Sequence, residues 1–211
     1  MAEADGIEAL HGAALLLQAR AKAHGAPVRT LPPLVLMSDP QRIPDLEAAV
    51  RRLPRGSAIV LRAFGAGDAV AQGLRLAAIA RRRGLVLLAG ADPALARAIG
   101  ARGVHLPERL AHRAGPLKRA RPDWLVTAAA HSEAACRRAF AAGADAVVLS
   151  PVFESRSPSA GRWLGAVRFA AVVRRAAGPI YALGGVNAGT ARRVAGSGAA
   201  GLAAVEALAK S

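Results

Sequence analysis

The sequence predicts an α/β fold, a (β/α)8 TIM barrel with an extra N-terminal helix. Three observations carry this. A short apolar run, then an Ala/Arg-rich segment and a glycine, recurs at spacings of roughly 20 to 30 residues, the mark of a repeated strand–helix unit. The apolar runs are continuous, so each strand is buried on both faces, and the helices between them make the sheet parallel. The 211 residues, short for this barrel, still bury roughly 70% of the unfolded surface in one core without a disulfide. A doubly wound open sheet is the structural alternative.

Residues 1–33 read as a helical extension packed outside the barrel or across one mouth, and residues 34–211 as the barrel itself. Pro32 and Pro33 lead straight into the first strand, Leu34 to Ser38, and a helical pattern follows over Arg42 to Leu53. The second strand, Ala58 to Arg62, ends on a cation and precedes a helix over Asp68 to Arg83. The third, Leu85 to Ala89, is followed by a helix over Pro93 to Gly100. The fourth, Gly103 to Leu106, is followed by a shorter helical segment. Strand five, Trp124 to Ala128, precedes the helix Ser132 to Ala142, and strand six, Ala146 to Ser150, is separated from the helix Ala166 to Ala176 by a long irregular loop. Strand seven, Ile180 to Leu183, meets a double glycine and then a helix over Ala188 to Ala195. Strand eight, Gly201 to Ala204, precedes the closing segment Val205 to Lys210.

Composition narrows the function. With 53% apolar and 3% aromatic residues the core is built from Ala, Val, Leu and Ile, and the chain is not disordered. The single cysteine, Cys136, excludes an intramolecular disulfide framework and a cysteine-based zinc cage, reads as core, and makes a cytoplasmic setting the default. Glu3, Asp5 and Glu8 near the start do not fit a signal peptide, and no stretch of about 18 apolar residues runs without a charge, so no membrane partner is expected. The net charge of +15 raises the question of a polyanion partner. Arginines gather late in the predicted helices, as Arg51-Arg52, Arg81-Arg82-Arg83, Arg137-Arg138 and Arg174-Arg175, where they complement the helix dipole at the bottom of the barrel. Without stacking aromatics or a nucleic-acid motif, nucleic acid is not expected, and Arg62, Arg109, Arg156, Arg42 and Arg162 remain to meet an anionic ligand.

Chemistry in such a barrel belongs to the loops at the carboxyl ends of the strands. In Leu183-Gly184-Gly185-Val186-Asn187 a strand ends in two glycines whose N–H groups can approach an anion closely, beside a helix N-terminus. A tight turn with Asn187 as N-cap is the other reading. The Ser150–Gly161 loop carries Ser155, Arg156 and Ser157, donors for phosphate oxygens in an anion clamp, or else forms a surface loop. Arg62 at the end of strand two is the best single anion ligand, since a guanidinium grips phosphate in bidentate fashion. His131, just after strand five, is placed for acid–base work, while His105 inside strand four reads as a core histidine. Gly196-Ser197-Gly198-Ala199-Ala200-Gly201 matches G-x-G-x-x-G, but it lies between helix and strand in the wrong order for a dinucleotide and reads as a C-cap and turn.

As a set, Leu36-Met37-Ser38-Asp39, Gly103-Val104-His105-Leu106, Ala130-His131-Ser132-Glu133-Ala134, Gly143-Ala144-Asp145 leading to Ser150-Pro151-Val152-Phe153, Leu183-Gly184-Gly185-Val186-Asn187 and Gly198-Ala199-Ala200-Gly201-Leu202-Ala203 resemble the thiamine phosphate synthase/TenI family, in order, from about Leu34 to Leu208. The resemblance implies a barrel of thiamine biosynthesis that joins hydroxymethylpyrimidine diphosphate to thiazole phosphate, with Mg²⁺ on the diphosphate if that reaction is retained. It implies thiazole phosphate at Gly184, Gly185 and the Ser150 loop, diphosphate at Arg62, and His131 as the nearest acid–base group. Small phosphorylated substrates are the implied partners, and a homo-oligomer is left open.

The pattern departs from the family at named positions. The Arg-Glu-Lys after strand two reads Arg62-Ala63-Phe64, the Asn-Asp pair after strand three falls on Gly90-Ala91, and the second metal-binding acid falls on Leu110. A serine beside strand five is Ala129, the Thr-x-Thr-Lys clamp is Ser155-Arg156-Ser157-Pro158, and Glu206 stands where a serine flanks the phosphate. Pro151 replaces the histidine of the TenI tautomerase. No metal ligand is therefore assigned; Asp39, Asp92 and Glu108 are the acids left to replace the missing ones. A non-catalytic phosphate-ligand-binding or regulatory barrel is the alternative function.

Overall fold

In the computed structural model, which describes residues 4–23, 25, 31–155 and 162–209, eight parallel strands close in sequence order into a barrel. They are β1 Leu34–Met37, β2 Ala58–Leu61, β3 Val86–Gly90, β4 Gly103–Leu106, β5 Leu125–Ala130, β6 Ala146–Leu149, β7 Ile180–Ala182 and β8 Gly201–Ala204. Closure comes from β1 lying beside β8, with Leu34 opposite Leu202, Val35 opposite Ala203 and Leu36 opposite Ala204. That pairing excludes the open-sheet alternative.

Burial on both faces explains why the strands read as unbroken apolar runs. Val35, Val60, Leu88, Val148, Tyr181 and Ala203 share the cluster inside the barrel, while their neighbours Leu36, Ile59, Leu87, Val147 and Leu202 pack outward under the helices. The side-chain period of two fixes what reaches the mouth. Two residues beyond the inward Val60 and Val148 come Arg62 and Ser150, so both continue the inner row upward. A one-residue slip of register would turn them out of the barrel.

The outer layer holds α1 Ala4–Ala23, α2 Leu46–Arg52, α3 Ala69–Arg83, α4 Pro93–Ala98, α5 Ala114–Ala120, α6 Glu133–Ala141, α7 Gly165–Arg175 and α8 Ala188–Ala191, with 3-10 turns at Glu108–Arg113, Arg192–Val194 and Glu206–Leu208. Two helices are shorter than expected. The segment after β1 becomes helical only at Leu46, because Asp45 caps it by accepting from the Ala48 N–H at 2.8 Å; Arg42 stays in the loop. The segment after β7 gives one α-turn before tightening to 3-10 geometry at Arg192.

α1 lies outside the barrel rather than across a mouth. It packs on β8, β1 and α8, burying Leu10 and Leu17 at 1% exposure each, which contributes about 1.5–3 kcal/mol per side chain. Among the described residues the short turn Glu206–Leu208 follows β8, and α1 packs beside β8, β1 and α8, on the outer layer of the barrel. Gln18 Nε2 donating to Leu31 O and Arg20 donating to Ala195 O, both at 2.7 Å, pin it there. Arg51, Arg52, Arg81, Arg82, Arg83, Arg138, Arg174 and Arg175 sit in the last turns of their helices. Among the described residues no helix is long and apolar enough to cross a membrane.

Candidate functional site

At the carboxyl ends of the strands the barrel opens into a cavity of about 1010 Å³. Arg62, His131, Ser150, Ser155, Gly184 and Gly185 all line it, although they come from four different βα loops. Ser157 and Arg156 lie outside the described residues. The G-x-G-x-x-G segment lies elsewhere, in the turn leading into β8: Ala199 N–H donates to Ser197 Oγ and Gly198 takes φ +79°.

On the β1–β4 side the donors are side chains. The Arg62 N–H donates to Ser38 Oγ at 2.7 Å, its Nε to Ser38 O at 2.5 Å, and a terminal nitrogen to Asp39 Oδ2 at 3.3 Å. The Phe64 ring lies 5.2 Å away, within cation–π range. Arg42 Nε donates to the same Asp39 Oδ2 at 3.0 Å, so one carboxylate orients two guanidiniums. Burial pushes the Asp39 carboxyl up, but the Arg42 hydrogen bond and charge, the Gln41 amide and the Arg62 charge outweigh it and hold the group below its ordinary range. Burial lowers the Arg62 pKa, with Arg42 adding to the shift and Asp39 opposing it; the guanidinium stays charged. Arg109 is a third cation lining the cavity.

His131 stands between the two sides. Its Nδ1 lies 2.9 Å from Ser150 O and 3.3 Å from Ser150 Oγ. A carbonyl only accepts, so Nδ1 carries the proton and the lone pair of the neutral ring is on Nε2. The loop is held by Glu108, whose carboxylate accepts from the His131 N–H at 2.9 Å and from Arg138 at 3.2 Å.

On the β6–β8 side the donors are backbone groups. Gly184 and Gly185 take φ +90° and +64°, and a Cβ on Gly184 would come within 2.8 Å of Pro151 while one on Gly185 would overlap Glu154 O. Both glycines line the cavity, and among the described residues their N–H groups donate to no protein acceptor. The second reading of this turn is also realised: Asn187 caps α8, its side chain accepting from the Gly189 and Thr190 N–H groups at 2.9 and 3.0 Å. Those amides are therefore taken, and α8 has only 4 residues, so the expected contribution of a helix N-terminus to anion binding is lost. Glu154 and Glu206 put two carboxylates on the same rim.

Below the mouth, buried His105 shares a 2.9 Å hydrogen bond with Thr127 Oγ1. Burial, with the Arg62 charge behind it, pushes its pKa down to about 4, so the ring is neutral near pH 7. Cys136 lies on the buried face of α6, where desolvation, helped by Glu108 and Glu133, pushes the thiol up to about 11.

The three acids left for a metal are otherwise engaged. Asp39 serves two arginines and the Gln41 N–H, Asp92 caps α4 by accepting from the Ala94 and Leu95 N–H groups, and Glu108 bridges His131 and Arg138. Among the described residues no three His, Cys, Asp or Glu side chains gather as a ligand set. Mg²⁺ is usually held by one or two carboxylates besides substrate phosphates, and here Asp39 is paired with two arginines while Asp92, whose Oδ1 caps α4, is the one cavity-lining acid of the three and bonds no cation among the described residues. The aromatic partner Phe64 escaped the sequence reading; a lone Phe two residues past Arg62, in a chain with 3% aromatics, was the signal available.

A family model described as thiamine monophosphate synthase matches residues 34–208. Over 170 residues, 77% of this chain and 68% of the relative, the chain is 35% identical to the thiamine-phosphate synthase of Anaeromyxobacter dehalogenans. Over 129 residues, 61% of this chain and 27% of the relative, it is 34% identical to the thiamine biosynthesis bifunctional protein ThiM/ThiE of Symbiobacterium thermophilum. Over two of its curated matches the chain spans half of the relative's length or less. Among solved structures, thiamine phosphate pyrophosphorylase from Pyrococcus furiosus superposes with a TM-score of 0.71 at 23% identity, covering 84% of this chain and 87% of that one, a likeness of fold.

Proposed function

The chain belongs to the thiamine monophosphate synthase family, and from that premise we propose that it joins hydroxymethylpyrimidine diphosphate to thiazole phosphate in thiamine biosynthesis, in the cytoplasm. One observation carries the reading: Arg62, His131, Ser150, Ser155, Gly184 and Gly185, drawn from four loops, converge on one cavity at the carboxyl mouth of the barrel. The two substrates meet there from opposite sides. The thiazole phosphate lies on the cavity-lining Gly184–Gly185 turn, whose N–H groups have no protein acceptor among the described residues. The diphosphate lies against Arg62, whose guanidinium is oriented in advance by Ser38 and Asp39.

In the reaction the pyrimidine's bond to the diphosphate breaks, the thiazole takes its place, and negative charge gathers on the leaving group. A fixed guanidinium stabilises that charge without reorganising, an effect worth about 2.7–4 kcal/mol for one well-placed donor. His131, with its proton held at Nδ1 by Ser150 O, offers Nε2 as the acid–base atom nearest the reacting groups.

The test is to incubate the chain with both substrates and to titrate thiazole phosphate alone. Equal yields of thiamine phosphate and pyrophosphate, with 1:1 saturable thiazole phosphate binding, are expected. Absence of product together with absence of binding overturns the reading; saturable binding without product selects the non-catalytic barrel.

A further inference from the structure

The β1–β4 side of the mouth lacks what a metal needs and holds what an anion needs. Asp39 Oδ2 is shared by Arg42 and Arg62 at 3.0 and 3.3 Å while Oδ1 accepts from the Gln41 N–H, so most of this carboxylate's acceptor capacity is spent on two cations and an amide. Asp92 is engaged by two α4 amides, and the positions where the family resemblance calls for metal-binding acids carry Gly90-Ala91 and Leu110. In the same arc Arg42, Arg62 and Arg109 line the cavity. A guanidinium has five N–H donors, and among the described residues Arg62 spends two of them, on Ser38 O and Asp39, leaving three in a fixed planar fork. Its side chain is 27% exposed, shielded enough that a bound anion is only weakly screened.

We propose that the diphosphate subsite of this chain is built from guanidiniums alone: Arg62, aimed by Ser38 and Asp39 and seconded by Arg42 and Arg109, binds a diphosphate without a divalent cation. The inference rests on the proposed placement of the diphosphate at Arg62 and deepens it. Asp39 becomes the positioning residue of the clamp, holding two like charges close together where they would otherwise repel. Replacing a metal by arginines trades a point charge for directed, bidentate hydrogen bonds, which suit a diphosphate whose oxygens spread over several ångströms.

Calorimetric titration of the full chain with inorganic pyrophosphate, in EDTA and again in excess MgCl2, decides the matter. Saturable 1:1 binding is expected in EDTA, tightened less than fivefold by Mg²⁺. Arg62→Gln weakens it by about tenfold or more in both buffers, as loss of charge-assisted bonds to an anion should. Arg109→Gln, away from the Asp39 network, also weakens it and guards against a folding defect in the first variant. Binding absent from EDTA, binding tightened fivefold or more by Mg²⁺, or binding indifferent to both variants overturns the proposal. Thiazole phosphate that still saturates the chain while pyrophosphate fails in EDTA sinks the metal-free clamp and leaves the proposed function standing.

Discussion

The two sides of the barrel mouth face the same cavity with opposite materials. From β1 to β4 the proposed anion donors are the side chains of Arg42, Arg62 and Arg109, each able to change with a single codon, and Asp39 orients the first two. From β6 to β8 the proposed donors are the backbone N–H groups of Gly184 and Gly185 beside the hydroxyls of Ser150 and Ser155, and the geometry of the glycine turn is enforced by close packing on Pro151, Phe153 and Glu154. The contrast teaches how a site can keep one subsite while the other diverges. Side-chain ligands can change one at a time, whereas a backbone cradle persists as long as the turn does.

The comparison breaks first at glycine. Gly185→Ala must fit a Cβ at φ +64° against Glu154 O and Phe153, so it costs about 2–5 kcal/mol of stability, whereas Gly65→Ala on the other rim, at φ +82° with nothing within 4 Å, costs only about 1 kcal/mol. Denaturant titration of both variants reads the difference, and equal costs would refute it. Next comes Arg62→Ala, expected to lower kcat about 10²–10³-fold while thiazole phosphate affinity stays within twofold; a matching loss of thiazole phosphate binding would show that the sides are not separate.

A smaller effect, near 2 kcal/mol, comes from His105 beneath the mouth. Its folded pKa of about 4 lies below the unfolded value near 6.5, so the unfolded chain binds the proton first. Stability is full above pH 6.5, falls as pH drops toward 4, and is lower by about 2 kcal/mol at pH 5 than at pH 7.5 from this group. Denaturant midpoints of the wild type and His105→Gln across that range measure it, and an unchanged slope in the variant would remove His105 from the account. The smallest effect is at Glu206. Removing its charge from the phosphate rim by Glu206→Ser should tighten thiazole phosphate about three- to fivefold and leave pyrophosphate affinity unaltered, by isothermal titration at low salt.

Much of this was legible in the sequence because both-face burial writes a strand as an apolar run: all eight strands fall within two residues of their expected bounds. The inner row then delivered Arg62 and Ser150 to the mouth by parity alone. Helix ends were less legible, since Asp45 takes over as the cap of α2 and α8 tightens into a 3-10 turn, and both depend on local hydrogen bonds rather than on period. Least legible were the contacts between loops. Nothing in the pattern announces that Asp39 meets Arg62 across 23 positions, or that Glu108 meets His131, because both pairings join separate loops.

The most direct test of a mouth with two separate anion subsites is to titrate thiazole phosphate into the full chain with and without saturating pyrophosphate. Both ligands are expected to bind together, one of each per chain, with the thiazole phosphate Kd shifted less than about fivefold. That is the scale of weak like-charge repulsion across a solvated cavity. Mutual exclusion, with pyrophosphate displacing thiazole phosphate competitively, would mean a single shared anion site and would contradict that expectation.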